Sequence, residues 1–539
     1  MTLTEGKRSI MNRLILKSLV FVAFLLSSGT PIQSAAAETT GQAELNGSDC
    51  KSPLPQPLLS EEKGIIALDY ETIPVTGNEP LDLLGYHYLN RFTDWMYFGL
   101  GGYAPLVQGD YGGFMAFDAT LQVQKKIVDN FFVEAGAGAG GGGGGKSIHQ
   151  SKALSGDGGL LDAYAGLGYD FKAVAAGIRY SKFRLSNSAL DHSQLDFYVQ
   201  VPVSYSVGPY GYSGDSLAPS EQTGLGDSIH GSGENVLSYD LDNILQIRPM
   251  GLNHSTINLG EMQYSHFFQD DAYAFFELGV GYHGLPLYNQ VLGGVGYRLN
   301  VYPRVNLAGQ VGLGSGGYAP SLIDTGPGFL VYPKFSAEYL FNENFGSSIS
   351  CGYLFAPGGS SKNMTLGASL NYHLFMDDKS SNYDEPLNDI VFHGFRLNML
   401  QQTEVDVDLV GKNLHDLDML SLQLDNVVND YFYIPLQAGV AYNDFYGYAG
   451  YGEMLVGLGL QSKYSPENRF QAFAQILTGA NVLGAISKLE LGVNYSLNDN
   501  FALYGKVGHT ASVNILNHYD FSANSFGLGL SYRFSVPSR

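Results

Sequence analysis

Segments in which apolar and polar side chains strictly alternate recur along most of this chain. In "MTLGASLNYHLF", Leu366 and Leu370 share one face of an extended strand, while Thr365 and Ser369 share the other. The segment "FGLGLSYRF", at 526–534, repeats the pattern. Because the side chains of a strand point alternately to its two faces, a period of two predicts strands with one apolar face and one polar or small-residue face.

The length of these segments suits a strand that crosses a lipid bilayer. Such a strand needs about 9–11 residues that alternate between lipid and lumen. The composition agrees, with 69 Gly, 37 Tyr and 31 Phe but only 15% charged residues. Beyond the amino-terminal segment, no window approaches the roughly 18 apolar residues of a spanning helix. Membrane residence would therefore require a closed barrel, the other spanning structure that pairs every backbone group.

The amino terminus predicts export. Arg13 and Lys17 precede the apolar run "LVFVAFLL", and small residues ending at Ala37 follow it. This is the order of a secretory signal peptide, so we expect residues 1–37 to be cleaved. Residues 38–63 are interpreted as a periplasmic leader, too short to form a plug domain.

Two kinds of turn alternate between the predicted strands. One kind is longer and rich in Gly, Ser and Asn, as at 141–158 and 510–524. The other is tight and falls into three sets: "FTDW", "IVDN" and "DFKA"; "QDDA", "VYPR" and "FNEN"; and "VVND", "SPEN" and "LNDN". Short periplasmic turns opposite longer external loops are typical of outer-membrane barrels.

The three sets of turns divide the chain into three repeats of about eight strands each. The predicted repeats cover 64–207, 243–375 and 391–534, with linkers at 208–242 and 376–390 and a tail at 535–539. The repeats also end alike, since "GASLNY" at 367–372 recurs as "GLGLSY" at 527–532. We interpret this as triplication of one unit.

The last predicted strand carries a recognisable ending. Gly527, Leu530, Tyr532 and Phe534 form a segment that resembles the carboxy-terminal aromatic signature of bacterial outer-membrane β-barrel proteins. The resemblance is to the class and names no specific family. It implies an all-β transmembrane, antiparallel up-and-down barrel in outer-membrane lipid, with the barrel insertion machinery as a partner. The chain continues past Phe534 with "SVPSR", where members of the class usually stop.

About 24 strands can close as three small barrels or as one wide barrel, and the inward faces favour three. Glycines such as Gly296, Gly459 and Gly492 fall on those faces, where small residues suit a crowded interior. Each repeat also places both signs of charge inward, and such charges can pair in a narrow lumen. The predicted lumen-facing charges are Glu134, Asp162, Arg179, Asp196, Arg248, Glu277, Arg298, Lys334, Glu338, Arg396, Asp425, Glu490, Lys506 and Arg533. The same charges would alternatively line the water-filled pore of a single wide barrel.

Charge and cysteine content exclude some classes of function. A formal charge of −22 would repel nucleic acid, so no nucleic-acid partner is expected. Cys50 and Cys351 give neither a disulfide framework nor a metal spacing, and no cofactor is predicted.

Some motifs have residue types that could form a site. "GGGGGGKS" at 140–147 satisfies the phosphate-loop pattern, but no helix follows it, so a flexible external loop is the preferred interpretation. His149 with Ser151, His192 with Asp191 and Ser193, and His254 with Ser255 are possible hydrolase groups in predicted external loops. His87, His373 and His509 lack metal spacing.

These patterns predict a non-enzymatic integral outer-membrane protein, a scaffold with surface loops and at most a narrow passage for solutes. One alternative is a wide porin or export channel. The other is a barrel hydrolase that uses a histidine-containing external loop.

Overall fold

The computed structural model describes residues 59–144, 152–217, 234–247, 256–286, 288–317, 322–342, 344–374, 390–464, 468–513 and 519–538. The predicted signal peptide, most of the leader and most of the 376–390 linker lie outside these ranges, as do Arg248, His149 and His254. Across the described ranges, no helix is long and apolar enough to cross a membrane. The helix α1, Lys152–Ser155, is a single turn.

The strands form three sheets in chain order, which we call barrels 1, 2 and 3. Barrel 1 consists of β1 (Ser60–Ile73), β2 (Leu81–Arg91), β3 (Met96–Pro105), β4 (Met115–Val128), β5 (Phe131–Gly143), β6 (Gly159–Asp170), β7 (Ala175–Leu185) and β8 (Asp191–Val207). A 3₁₀ turn, Tyr210–Tyr212, and the short strand β9 (Ser216–Leu217) follow it.

Barrel 2 consists of β10 (Asn235–Gln246), β11 (Ile257–Phe267), β12 (Ala272–His283), β13 (Asn289–Tyr302), β14 (Val305–Gly317), β15 (Phe329–Leu340), β16 (Phe345–Phe355) and β17 (Lys362–Leu374). Barrel 3 consists of β18 (Ile390–Leu409), β20 (Leu417–Val427), β21 (Phe432–Ala441), β22 (Gly452–Gln461), β23 (Phe470–Asn481), β24 (Gly484–Ser496), β25 (Phe501–Ser512) and β26 (Phe521–Ser538), with the short strand β19 (Lys412–Asn413) beside β18.

Each sheet closes on itself by antiparallel pairing of its first and last long strands. In barrel 1, Ala67 pairs with Gln200. In barrel 2, Asp240 pairs with Ser369. In barrel 3, Arg396 pairs with Arg533. The predicted architecture of three eight-stranded antiparallel barrels is confirmed, and the alternative of one 24-stranded ring is wrong.

Each barrel has two different ends. The tight turns β2–β3, β4–β5 and β6–β7, together with both chain ends of barrel 1, lie at what we call the turn end. The longer connections β1–β2, β3–β4, β5–β6 and β7–β8 lie at the loop end. Barrels 2 and 3 repeat this arrangement, because their strands follow one another in the same up-and-down order.

Each barrel contacts the other two. The Gly112 backbone N–H donates to the Gly326 carbonyl at 3.1 Å and joins barrels 1 and 2. Tyr532 of barrel 3 donates to Glu62 at the base of barrel 1, at 3.3 Å. The Tyr372 hydroxyl of barrel 2 lies 2.8 Å from His393 Nδ1 of barrel 3. The single chain therefore folds into three barrels that pack against one another.

Several predicted boundaries differ from the structure. Strand β1 begins at Ser60, inside the predicted leader, and β10 begins at Asn235, inside the predicted 208–242 linker. Strand β26 continues to Ser538, so most of the predicted tail is strand. Within the glycine-rich tract predicted as an external loop, 140–143 belong to β5. The strands continue because the backbone there still has a partner strand with which to pair.

Candidate functional site

The lumens of the three barrels hold nearly all the buried polar groups and are the candidate site. Every predicted lumen-facing charge that lies in the described ranges is buried, the most exposed being Glu338 at 9%. Arg248 lies outside the described ranges. The outward residues of the same strands are exposed, as shown by Leu195 at 70% and Leu370 at 64%. The barrels are thus polar inside and apolar outside.

The loop end of each lumen is closed by an apolar cluster. In barrel 1, Ile73, Leu81 and Leu160 are among the buried residues of this cluster. The corresponding clusters contain Leu330 in barrel 2 and Ile486 in barrel 3. Leu160, Leu330 and Ile486 occupy similar positions, near the start of the sixth long strand of their respective barrels. All three lumens therefore have an apolar plug at the same end.

Below its plug, barrel 1 contains an acidic network. Arg179 lies 2.7 Å from Asp69 and 3.4 Å from Asp196, and its guanidinium sits 4.3 Å from the centre of the Tyr164 ring. His87 Nε2 lies 3.2 Å from Asp118 Oδ1. Burial of these charges is costly unless each has a partner, and the arginine supplies one to two carboxylates at once.

The other predicted acids of barrel 1 accept neutral donors. Tyr103 donates to Asp162 at 3.1 Å, and Gln200 donates to Glu134 at 2.7 Å. Carboxylates therefore outnumber cations across this lumen.

Barrel 2 has two polar layers. In the upper layer, Lys334 lies 3.3 Å from Asp240, 3.7 Å from Glu261 and 3.2 Å from Glu277. Nearer the turn end, Arg298 pairs with Glu234, and the His373 ring lies between Glu234 at 2.6 Å and Glu338 at 2.9 Å. A cavity of about 70 Å³ lies between side chains of the two layers.

Barrel 3 is more evenly balanced in charge. Lys488 lies 2.8 Å from Glu404 and 2.6 Å from Glu453, while Lys506 lies 3.0 Å from Glu490. Arg396 donates to Asp425 at 3.0 Å. Lys506 also donates to Gln437, and Gln475 donates to Glu490, both at 2.5 Å. Amides therefore fill the space that the charges leave.

Small inward residues make room for inward rings. A Cβ placed on Gly296 would overlap the Tyr273 ring, and one on Gly459 would overlap the Tyr433 ring. Gly492 faces the Phe473 ring in the same way. The predicted inward glycines therefore lie in a crowded interior, with an aromatic ring from a neighbouring strand filling the space.

The turn end of barrel 3 is covered by the segment that follows barrel 1. The Gly208 N–H donates to the Ser535 carbonyl at 2.8 Å, and β9 pairs with β18. Tyr210 is 2% exposed and packs with Leu400 and Tyr433. The predicted flexible linker is thus in part a lid on another barrel.

Arg533, a predicted lumen charge, lies beneath this lid. Its guanidinium sits 5.3 Å from the centre of the Tyr210 ring and 5.0 Å from that of Tyr464. It donates to the Ser496 hydroxyl at 2.9 Å and to the Asn498 carbonyl at 2.7 Å. Rings and neutral oxygens thus accommodate this charge at the mouth of the barrel.

The histidine candidates do not converge on a site within the described ranges. His192 is paired with the buried Phe183 and so points inward, whereas its neighbours Asp191 and Ser193 point outward. Asp191 lies 2.7 Å from Lys182 instead. The partners expected at 149, 151, 254 and 255 lie outside the described ranges. His509 accepts or donates one bond at 3.0 Å with Asn524.

Several charged groups of the lumens are not among the predicted lumen-facing residues. Asp69, Asp118, Glu261, Glu404 and Lys488 are all buried in the lumens. The signal was present, since in "IIALDYETI" the apolar Ile66 and Leu68 alternate with Asp69. Applying the two-residue period to every strand would have found them.

The aromatic ending lies where the strand pattern predicts. Tyr532 and Phe534 project outward from β26, and their rings stack at 5.4 Å. Phe534 also stacks on Phe395 of β18 at 5.8 Å. The strand runs on to Ser538, so these aromatics are not the last residues of the barrel.

Comparisons with known proteins identify no family for this chain. No family model and no curated protein matches the chain. Among solved structures, the ferric enterobactin receptor PfeA of Pseudomonas aeruginosa matches with 10% identity and a TM-score of 0.28, over 88% of this chain and 81% of that one. The siderophore receptor PirA of the same organism matches with 10% identity and a TM-score of 0.25, over 88% and 80%.

A shorter match is the NanC porin, with 11% identity and a TM-score of 0.17, over 55% of this chain and 98% of that one. Sequence identities and TM-scores this low support no conclusion about what the chain binds or transports.

Proposed function

We propose that this chain is a non-enzymatic integral protein of the bacterial outer membrane, whose three filled barrels form a scaffold for the loops at one end. Solute passage through it is at most narrow. Outer-membrane lipid and the barrel insertion machinery are the partners that this function requires.

The observation that carries the proposal is the inverted polarity of the barrels. Leu195, Phe197 and Ile349 are 70%, 69% and 70% exposed on the outer faces. In the lumens, Asp196, Glu277 and Arg396 are 1% exposed or less. A protein in water rarely exposes large continuous apolar surface, whereas lipid favours it. The closed barrels also leave no unpaired sheet edge among the long strands, as a bilayer requires.

The filled lumens support a scaffold rather than a channel. Each lumen has an apolar plug at its loop end and a layer of bonded charges below it. Barrel 3 is also covered at its turn end by Tyr210. Barrels of eight strands have interiors that side chains can fill. A wide porin or export channel would need an open lumen, which these barrels do not provide.

The opposite directions of His192 and its two neighbours argue against a hydrolase site built on this segment. General-base catalysis requires the imidazole within hydrogen-bond reach of the hydroxyl that it activates. Strand geometry places the His192 and Ser193 side chains on opposite faces of the sheet.

The insertion machinery is proposed from the carboxy-terminal strand. Tyr532 and Phe534 project outward in a strand whose ending resembles the signature of the class. Replacing both with serine is expected to leave the exported chain unassembled, as measured by protease sensitivity in cells. Replacing the outward Leu366 and Leu370 of β17 with serine controls for the loss of two outward apolar side chains and keeps the ending, while Glu62→Ala controls for the contact of Tyr532 with barrel 1. Equal assembly of the two serine variants would contradict a role for the ending.

Single-channel recording in a planar bilayer tests the scaffold against a channel. The folded protein is expected to give no current or only minute steps. Insertion must be shown independently, and the only tryptophan of the chain, Trp95, provides the means. Trp95 is 53% exposed in the β2–β3 turn, where a ring can sit at the membrane surface. Brominated lipids should therefore quench its fluorescence in vesicles. Large, stable current steps from inserted protein would overturn the proposal.

A further inference from the structure

Three carboxylates meet in the upper layer of barrel 2. Asp240, Glu261 and Glu277 come from β10, β11 and β12, and one oxygen of each lies within 4.8 Å of the others. Glu261 and Glu277 are fully buried, and Asp240 is 6% exposed. Asp240 and Glu261 are direct cross-strand partners, an arrangement that destabilises a sheet when the two charges have the same sign.

The positive charge near these carboxylates is too small to balance them. Lys334 is the ammonium shared by all three, and the carboxylate of Asp242 lies nearby, bonded to the Tyr332 hydroxyl. The next cations toward the turn end, Arg298 and His373, are engaged with Glu234 and Glu338. With all of its carboxylates ionised, the group would carry an excess of negative charge in a place that water reaches poorly, which is costly without a further cation.

One oxygen of the group has no hydrogen bond. Gln290 donates to Glu261 Oε1 at 2.8 Å, but among the described residues no donor reaches Glu261 Oε2. This oxygen faces the Lys334 ammonium at 3.7 Å, so it points into the shared space. A fully buried carboxylate oxygen normally has a hydrogen-bond partner, so Glu261 Oε2 has the capacity to accept a ligand.

The neighbouring cavity supplies the space that a ligand needs. Its volume is about 70 Å³, and Asp240 and Lys334 line it together with Ser336 and Ser350. A cavity of this size holds several water molecules. The Lys334 ammonium can withdraw into it, and water can complete the coordination of an ion.

The triad is specific to barrel 2. Strand registers place Asp69, Gly85 and Gly101 at the equivalent positions of barrel 1. In barrel 3, the equivalent positions hold Leu400, Ser421 and Gln437. The fold of an eight-stranded repeat therefore does not require three carboxylates at this level.

We propose that Asp240, Glu261 and Glu277 bind one hard divalent cation of the calcium or magnesium type. Such ions prefer carboxylate and water oxygens, and Ca²⁺ holds them at about 2.3–2.6 Å, so two ligand oxygens lie up to about 5 Å apart. The spacing of the triad matches that limit. The ion enters from the turn end through the cavity, because the apolar plug closes the loop end.

The test uses terbium as a luminescent probe on the full folded chain in detergent. Tb³⁺ occupies calcium sites, and excited tyrosines close to it transfer energy to it. The Tyr332 ring centre lies 5.3 Å from Lys334 Nζ, so it is close enough to report on the site. We expect saturable emission at one ion per chain that added CaCl₂ removes.

Three variants locate the binding. Glu261→Gln keeps the shape of the side chain and removes one charge, and it is expected to weaken terbium binding by a factor of about 10 or more. Lys334→Met removes the competing ammonium and is expected to tighten it. Glu453→Gln removes a buried carboxylate of barrel 3 and serves as the matched control, with binding unchanged.

The possible outcomes separate clearly once circular dichroism shows that each variant is folded. Loss of the calcium-sensitive emission in Glu261→Gln but not in Glu453→Gln supports the site. No saturable emission from the wild-type chain overturns it. Emission that is the same in Glu261→Gln also overturns it, because the ions then bind surface carboxylates only. None of these readouts depends on whether the protein conducts solutes.

Discussion

Gly141 of barrel 1 packs directly against the carbonyl oxygen of Ala441 in barrel 3. Gly141 points outward from β5 yet is buried, because barrel 3 covers it. Two residues further on, Gly143 faces Ala449 of the same barrel. The glycine tract of β5 is thus a surface on which two barrels approach each other closely, since only a residue without a Cβ leaves room for the backbone.

This contact predicts that Gly141→Ala will destabilise the assembly of the barrels. The added methyl would overlap the Ala441 carbonyl, and overpacking of this kind costs about 1–3 kcal/mol. The measurement is the denaturant midpoint of the folded protein in detergent. The matched control is Gly505→Ala in β25, where the nearest atom to an added Cβ is Leu528 Cδ1 at 3.6 Å. Equal midpoints for the two variants would show that the barrels do not pack through Gly141.

The barrel architecture could be predicted because the two-residue period survives in nearly every strand. Leu366 and Leu370 are exposed, and their neighbours Thr365 and Ser369 are buried, as the alternation predicted. The inward glycines and paired charges also predicted correctly that the repeats close separately. Both signals are local, so they can be read without knowing which strands meet.

Contacts between barrels could not be predicted in this way. Tyr210 lies in a polar segment that resembles a linker, and its burial depends on Arg533 and Tyr464, which are far away in sequence. Of the triad of barrel 2, the sequence predicts only Glu277 as a lumen charge, and Asp240 falls outside the prediction for a different reason. Asp240 and Asp242 fall within the predicted 208–242 linker. In the structure they are buried while Leu241 between them is 43% exposed, which is the same alternation as in the other strands.

The buried Lys488 predicts a large effect of removing a single charge. Lys488→Met leaves Glu404 and Glu453 buried without their shared cation, which typically costs about 3–5 kcal/mol. Unfolding by denaturant measures the loss. Adding Glu404→Gln and Glu453→Gln to the same chain is expected to restore most of the stability, because no unpaired charge remains. Failure of this rescue would mean that the lysine stem, and not its charge, stabilises barrel 3.

The lid on barrel 3 predicts that Tyr210→Ala lowers the free energy of unfolding, although Tyr210 lies in the segment that connects barrels 1 and 2 along the chain. Tyr210 is 2% exposed, and loss of a large buried aromatic side chain typically costs about 3–5 kcal/mol. The control is Tyr519→Ala, since Tyr519 is 54% exposed. Both are compared by denaturant unfolding. A Tyr210 variant as stable as the Tyr519 variant would show that the segment after barrel 1 does not cover barrel 3 in solution.

A loop of barrel 3 predicts a local pH dependence. His415 Nδ1 lies 3.0 Å from the Asp416 carbonyl, and Nε2 lies 3.2 Å from Asp444 Oδ2. The bond to the Asp416 carbonyl, aided by the Asp444 carboxylate, raises the pKa of His415 above its usual value of 6.5. Because the pKa of His415 is higher in the folded state than in the unfolded state, this stabilisation is complete at pH values below the unfolded-state pKa. It is lost as pH rises through the folded-state pKa.

NMR titration of the His415 ring tests this dependence, with His415→Gln to assign the signal. In Asp444→Asn, the pKa of His415 is expected to fall toward the ordinary value, because the amide carries no charge. This decrease in pKa is expected to be partial, because the hydrogen bond between His415 and the Asp416 carbonyl remains. Because the His415 side chain is half exposed, the accompanying change in stability is expected to be small. An unchanged pKa in Asp444→Asn would show that the two loops do not meet in solution.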